Sequence, residues 1–237
     1  MLPQVDYEGQ LKLTGAHVLI IGAGGLGSPV AMYLASSGIG NITISDFDHV
    51  ELSNLQRQLL HSTADIGKMK ADSAKETLTG LNDRINITAL NEKLSEKDLR
   101  KQVKQADIVI EATDNFPSRF LLNRLCTEEK TALVSGSASQ LEGQVTVFRA
   151  DTENSPCYQC LYDETEMSSD SQWENCSTSG VLAPLVGIIG AIQATEALKI
   201  ILDLGETLCG RLILFNAAQM SWREVKLKKD PNCAICT

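Results

Sequence analysis

The chain does not open with a basic segment followed by an apolar one, so no secretory signal is expected. It also has no unbroken apolar run of membrane-spanning length. The longest candidate, residues 181–201, is interrupted by Pro184, Gly187, Gly190, Gln193, Glu196 and Lys199. It reads as a buried helix with its approach rather than a span, and no membrane partner is expected. An excess of positive charge is missing too: 21 Lys and Arg face 30 Asp and Glu, giving a net charge of -9. That balance argues against nucleic acid as a main partner. It leaves phosphate binding open, because such sites are built locally from backbone N–H groups and a few cations. Repeats and low-complexity tracts are missing. The three histidines, His17, His49 and His61, do not cluster with carboxylates or cysteines as a catalytic set would.

A chain of 237 residues with 43% hydrophobic content can bury one large core, so residues 1–237 are expected to form a single domain. Charged residues make up 22% and the mean hydropathy is near zero, as in soluble globular proteins. Seven cysteines without a signal peptide point to a reducing compartment, the cytoplasm. Four lie in two pairs, Cys157/Cys160 and Cys233/Cys236. Cys126, Cys176 and Cys209 are single.

Strand-like and helix-like segments alternate through the first two-thirds. Strands are predicted at residues 17–21, 41–45, 85–90, 107–111 and 132–135. Helices are predicted at 27–38, 69–81, 96–104 and 118–130, the last opened by Pro117. This pattern predicts an α/β, Rossmann-like, mostly parallel sheet with helices on both faces. Runs at 144–149, 211–216 and 222–227 have no helix between the last two and predict an antiparallel C-terminal extension. Residues 163–175 are acidic, serine-rich and poor in apolar side chains, a surface loop or a lid.

The first strand runs into Gly22-Ala-Gly24-Gly25-Leu-Gly27 and then into a helix. Glycines are needed where the turn is tight and where phosphate approaches the backbone, and the helix N-terminus offers unpaired N–H groups. The second strand ends in Asp46, at the distance where an acidic group meets ribose hydroxyls. On these features alone an NAD-dependent dehydrogenase is the default reading. Three further features favour ATP. The segment Asp46-Phe-Asp48-His-Val-Glu-Leu-Ser53-Asn54-Leu-Gln56-Arg57-Gln58 brings an arginine and several amides just beyond the ribose carboxylate. Lys70 follows on the next helix, and two cations suit a triphosphate better than a nicotinamide. Finally, Glu111-Ala-Thr-Asp114-Asn115 ends a buried strand, where a carboxylate can hold Mg²⁺ between phosphate oxygens.

GxGGLG, D-F-D-x-V-x-x-S-N-L-x-R-Q and T-D-N-x-x-x-R together resemble the MoeB/ThiF/HesA family, relatives of ubiquitin-activating enzymes. The resemblance continues through Gly143-Gln144-Val-Thr-Val, Cys157-Tyr-Gln-Cys160, Ala183-Pro184-Leu-Val-Gly187 and the final cysteine pair. It implies ATP-dependent adenylylation of the C-terminal glycine carboxylate of a small ubiquitin-fold sulfur-carrier protein ending in Gly-Gly. It also implies a homodimer and a sulfur donor such as a cysteine desulfurase. Carried over residue by residue, it places Gly25 at phosphate, Asp46 at the ribose, and Asn54, Arg57 and Lys70 at the phosphates. Asp114 is placed at Mg²⁺. The other residues of the glycine turn, Asp48, Ser53, Gln58 and Asn115 complete the expected cofactor site. The catalytic set is expected to be Arg57, Lys70, Asp114 and Cys176.

The two C-x-x-C pairs are consistent with a closed tetrahedral zinc site of Cys157, Cys160, Cys233 and Cys236, structural because four ligands leave no open position. A redox C-x-x-C is the rival, disfavoured by the second pair and by the family pattern. Cys176, in Asn175-Cys-Ser-Thr-Ser-Gly180, falls where the family can carry a sulfur-transfer cysteine. Cys126 reads as core, and Cys209 as structural or exposed. One departure stands out. The family commonly has an upstream R-Y-x-R-Q segment whose arginine reaches the neighbouring subunit's ATP, whereas no arginine precedes Arg57 here. Weak turnover of the chain as it stands is therefore expected. The stretch around Cys176 and Ser221-Trp-Arg resembles the thiamine branch somewhat more than the molybdopterin branch. Readings of another class are an NAD(P)-dependent oxidoreductase and a non-catalytic nucleotide-binding scaffold.

Overall fold

The computed structural model describes residues 5–164 and 180–237. Among them are eight strands: β1 His17–Ile21, β2 Asn41–Ser45, β3 Asn86–Leu90, β4 Ile108–Glu111, β5 Ala132–Ser139, β6 Glu142–Phe148, β7 Arg211–Asn216 and β8 Ser221–Lys226. The helices are α1 Tyr7–Gly15, α2 Gly27–Ser36, α3 Lys70–Leu81, α4 Glu96–Gln105, α5 Phe116–Glu129 and α6 Ala183–Leu202. The strands form one sheet in the order β3-β2-β1-β4-β5-β6-β7-β8. The first five are mutually parallel and the rest antiparallel, as the alternation predicts.

Strand residues sort by period two onto two faces. Val18, Ile20, Ile42, Ile44, Ile108, Ile110 and Val134 pack with α1, α2, α3 and α6, while Leu19, Val109, Leu133 and Phe148 pack with α4 and α5. Both faces are therefore covered by helices, and β1 and β4 are apolar nearly throughout because each side meets a core. Helix α6 is long and apolar enough to cross a membrane by length and composition. Its Leu185, Ile189, Ala194 and Ala197 are nevertheless buried in the larger core, which accounts for that apolar character.

Two differences from the sequence expectation have physical causes. Helix α1 lacks a strong apolar period and is fixed by its ends: the Asp6 carboxylate accepts from Glu8 N and Gly9 N, and Leu13 is buried. Strand β5 runs to Ser139 rather than 135. Its Gly-Ser-Ala-Ser end has weak strand preference, but pairing from Leu133↔Phe148 to Ser139↔Glu142 holds it in a hairpin. Of the loop expected at 163–175, only Asp163 and Glu164 are described. Cys176 lies outside the described residues.

Sheet order reverses between β1 and β4: β1 leads outward to β2 on one side, and β4 leads to β5 on the other. The turns after β1 and β4 diverge there and leave a crevice at the carboxyl ends of the strands.

Candidate functional site

In the glycine turn after β1, the backbone itself requires two of the glycines. Gly22 has φ +102°, and a Cβ on it would stand 2.6 Å from Ala112 O. On Gly27 a Cβ would lie 1.9 Å from Gly22 O, so no side chain fits. Gly24 differs, since a Cβ there would meet only Gln58 Nε2, at an ordinary 3.5 Å. The chain's own packing therefore does not require a glycine at Gly24, whereas close approach of a ligand to the backbone would. Helix α2 begins just beyond, with Leu26 at its N-cap and, among the described residues, no side chain accepting from its first N–H groups. The crevice is lined by Gly22, Gly24, Gly25, Asp46, Asp48 and Gln58, together with Arg57, Lys70, Asp114 and Asn115.

Asp46 is gripped by the backbone it faces: Oδ2 accepts from Ala23 N at 2.8 Å and Oδ1 from Asp48 N at 2.9 Å. Burial raises its pKa above the usual carboxylate value, partly offset by the nearby Lys70 charge and the two backbone donors. Lys70 is buried at the first turn of α3, its Nζ 2.9 Å from Asp48 Oδ2. Arg57 donates to Ser53 O at 3.2 Å and forms no ion pair among the described residues. Buried Gln58 faces the crevice, and its Oε1 has no partner among the described residues. A triphosphate fits this donor set: an uncapped helix start, two cations and a glycine whose missing side chain the chain itself does not require. A ribose would meet Asp46.

Asp114 is exposed at the end of the β4 turn, and its one side-chain hydrogen bond among the described residues comes from Asn115 Nδ2 at 3.4 Å. Its oxygens are thus open to a cation such as Mg²⁺. Asn115 caps α5, its Oδ1 accepting from Ser118 N at 3.0 Å. Ser53, Asn54 and Gly27 do not line the crevice. Ser53 and Asn54 are held in a local 3-10 turn, where Asn54 Oδ1 accepts from Glu51 N and Ser53 Oγ donates to Glu51 Oε2. Sequence reading left two residues of this site without a role. Glu111 and Arg119 are both buried beneath the Asp114 turn, and the T-D-N-x-x-x-R spacing was the available signal.

His61 is a support rather than a catalytic group. Its Nε2 lies 3.0 Å from Ala23 O and must donate to it, so Nδ1 accepts from Ser73 Oγ at 2.8 Å. Burial lowers its pKa below 6.5. As pH falls through about 6.5, the unfolded chain takes up this proton before the folded one does, so stability rises with pH there and is fully present above that value. His61→Gln is expected to shrink the gain in urea midpoint between pH 5.5 and pH 7.5. An unchanged gain would show that His61 does not carry it.

The four paired cysteines meet in space. Sγ–Sγ distances are 3.9 Å for Cys157–Cys160, 3.6 Å for Cys157–Cys233 and 3.5 Å for Cys160–Cys236, and all four sulfurs lie within 4.8 Å of one another. A tetrahedron with bonds of about 2.3 Å to zinc has edges of about 3.8 Å. These separations fit that edge and are far too long for disulfides, whose S–S bond is about 2.05 Å. Asp230 N also points at Cys160 Sγ, 3.4 Å away, as a backbone donor to a thiolate would. Cys126 is buried in the smaller core, and Cys209 Sγ lies 3.3 Å from Ser155 Oγ.

Residues 1–235 match the sequence model of the ThiF family. The chain belongs to the ThiF family. This ThiF-family chain is 42% identical over 234 residues to the molybdopterin-synthase adenylyltransferase of Escherichia coli, covering 98% of the chain and 91% of that protein. It is 45% identical over 238 residues to the adenylyltransferase and sulfurtransferase MOCS3 of Culex quinquefasciatus, of which it spans about half, 53%. It is 40% identical to the SAMP-activating enzyme E1 of Haloferax volcanii, covering 86% of it. Among solved structures, E. coli MccB with ATP superposes with a TM-score of 0.85 at 26% identity, over 97% of this chain and 68% of that one.

Proposed function

We propose that this chain, as a single adenylating unit, activates the C-terminal glycine carboxylate of a small ubiquitin-fold sulfur carrier ending in Gly-Gly. A carboxylate oxygen attacks the α-phosphorus of ATP, the bond to the β-phosphate oxygen breaks, and pyrophosphate leaves with the electron pair. The observation that carries this reading is the meeting, at the switch point of the sheet, of an uncapped helix start, Lys70, Arg57 and Asp114. Gly24 and Gly25 receive phosphate, Asp46 the ribose, and Arg57, Lys70 and Gln58 the charge of the triphosphate. Ser53, Asn54 and Asp48 support them from the adjoining turn. Asp114, with Asn115, holds Mg²⁺, which neutralises charge on the phosphates when bound. Such a site needs no protein nucleophile, because the substrate brings one.

A second groove, bordered by β5 to β8, shares Asp114 and Arg119 with the crevice. It offers an extended tail a route to the α-phosphate. The names of the E. coli, Culex and Haloferax relatives support this adenylylating reading, and the first of them favours the molybdopterin branch over the thiamine branch. Exposed Tyr7 and Leu11, one turn apart on α1, supply apolar surface for a second copy. A cysteine desulfurase is the fitting sulfur donor, and the unpaired thiols suit the cytoplasm.

ATP–pyrophosphate exchange, measured with and without a purified carrier ending in Gly-Gly, tests the proposal. Carrier-dependent exchange and an acyl-adenylate seen by mass spectrometry are expected. Tight NAD binding without exchange would instead mark an oxidoreductase. ATP binding with no exchange would mark a scaffold.

A further inference from the structure

Glu111 closes β4 with a carboxylate only 1% exposed. It stands behind the wall of the crevice rather than in it. A charge so placed requires partners, and it has them on both oxygens. Thr113 N and Thr113 Oγ1 donate to Oε1 at 2.8 and 2.7 Å, and Ser135 Oγ of β5 donates to Oε2 at 2.8 Å. Arg119, from the second turn of α5, brings Nε to 3.5 Å from Oε1 while its Nη2 donates to Thr113 O at 2.9 Å. The Thr113 backbone is therefore held from both sides, its N–H by the carboxylate and its C=O by the guanidinium. Opposite charges in contact lock the two grips together. Gln193 of α6, fully buried, adds a third hold by donating to Glu111 O at 2.8 Å.

Among the described residues nothing comparable holds Asp114 itself, the next residue along. Its position follows from that of Thr113, because only one peptide unit separates the clamped carbonyl from the Asp114 Cα.

We infer that Glu111, with Arg119, is a positioning residue that fixes the metal-binding carboxylate of Asp114 by clamping the Thr113 backbone. The inference rests on the assignment of Asp114 to Mg²⁺ above. Outer partners of metal ligands change metal affinity about 10–100-fold when removed, and Glu111 would act at the lower end because it works through one backbone link.

The test is Mn²⁺ binding, with Mn²⁺ standing in for Mg²⁺, to the full chain saturated with a non-hydrolysable ATP analogue. Free Mn²⁺ is read by electron paramagnetic resonance, and amide hydrogen exchange at Asp114 and Asn115 is measured in parallel. Glu111→Gln keeps the shape but loses the charge, and is expected to weaken Mn²⁺ about tenfold and to speed exchange at these two amides. Exchange around Gly24 should not change. Ser135→Ala, which removes one donor and keeps the carboxylate, should move both readouts the same way by less, and it decides the matter if Glu111→Gln does not fold. Asp114→Asn is the control that abolishes Mn²⁺ binding. Wild-type affinity and wild-type exchange in Glu111→Gln and Ser135→Ala would overturn the inference. If Asp114→Asn binds Mn²⁺ like the wild type, the metal assignment falls instead, and hydrogen exchange alone judges the clamp.

Discussion

Asp114→Ala is expected to lower ATP–pyrophosphate exchange about 10²–10³-fold, the size of loss that follows removal of one electrostatic stabiliser from a preorganised site. The side chain is exposed and, among the described residues, hydrogen-bonds only with Asn115 Nδ2. Its removal therefore leaves no cavity and strands no buried partner, and the melting temperature should stay close to that of the wild type. This contrast identifies the role. A structural carboxylate would lose stability and rate together, whereas a cation holder loses rate alone. Raising Mg²⁺ should recover part of the lost rate, since phosphate oxygens still bind the ion. A variant that exchanges pyrophosphate at the wild-type rate would remove Asp114 from the mechanism.

Lys70 works under a different constraint. Its ammonium is 8% exposed and already paired with Asp48 at 2.9 Å, so a triphosphate entering the crevice must share that cation with a carboxylate. The Asp48 carboxylate compensates the buried ammonium where both line the crevice.

Much of this was legible in the sequence because each part has a short-range cause. The Gly22–Gly27 turn is set by φ and by backbone clashes between neighbours. The apolar runs of β1 and β4 follow from burial on both faces. The antiparallel extension followed from two strands with no helix between them. What was not legible depends on contacts far apart in the chain. The Glu111 clamp needs Ser135, 24 residues on, and Arg119 from the next helix. Read alone, Glu111 is a polar residue at a strand end, and only β4–β5 pairing places it beside Ser135. Asn54 shows the opposite limit. Its motif gives its type, but its present hydrogen bond is to Glu51 N, a turn contact that a linear pattern does not reveal.

The four-cysteine cluster leads to the remaining large effect, on stability rather than rate. Cys157 and Cys233 are 76 residues apart, and their sulfurs meet at 3.6 Å. Zinc there would tie the last residues, beyond β8, to the segment after β6. A ligand held by the folded chain at about a thousand times its dissociation constant adds about 4 kcal/mol. In a chain of this length each kcal/mol moves the melting temperature by about 2–4 °C. Cys233→Ser should therefore release the metal and lower the melting temperature by about 8–16 °C. Nucleotide affinity should change much less, because none of the four cysteines lines the crevice. Elemental analysis of freshly purified protein should find close to one zinc per chain, lost in the variant. Stripping with a chelator should bring the wild type down to the variant's melting temperature. If the wild type carries no zinc and the chelator leaves its melting temperature unmoved, the sulfurs cluster for packing and the tail is held by something else.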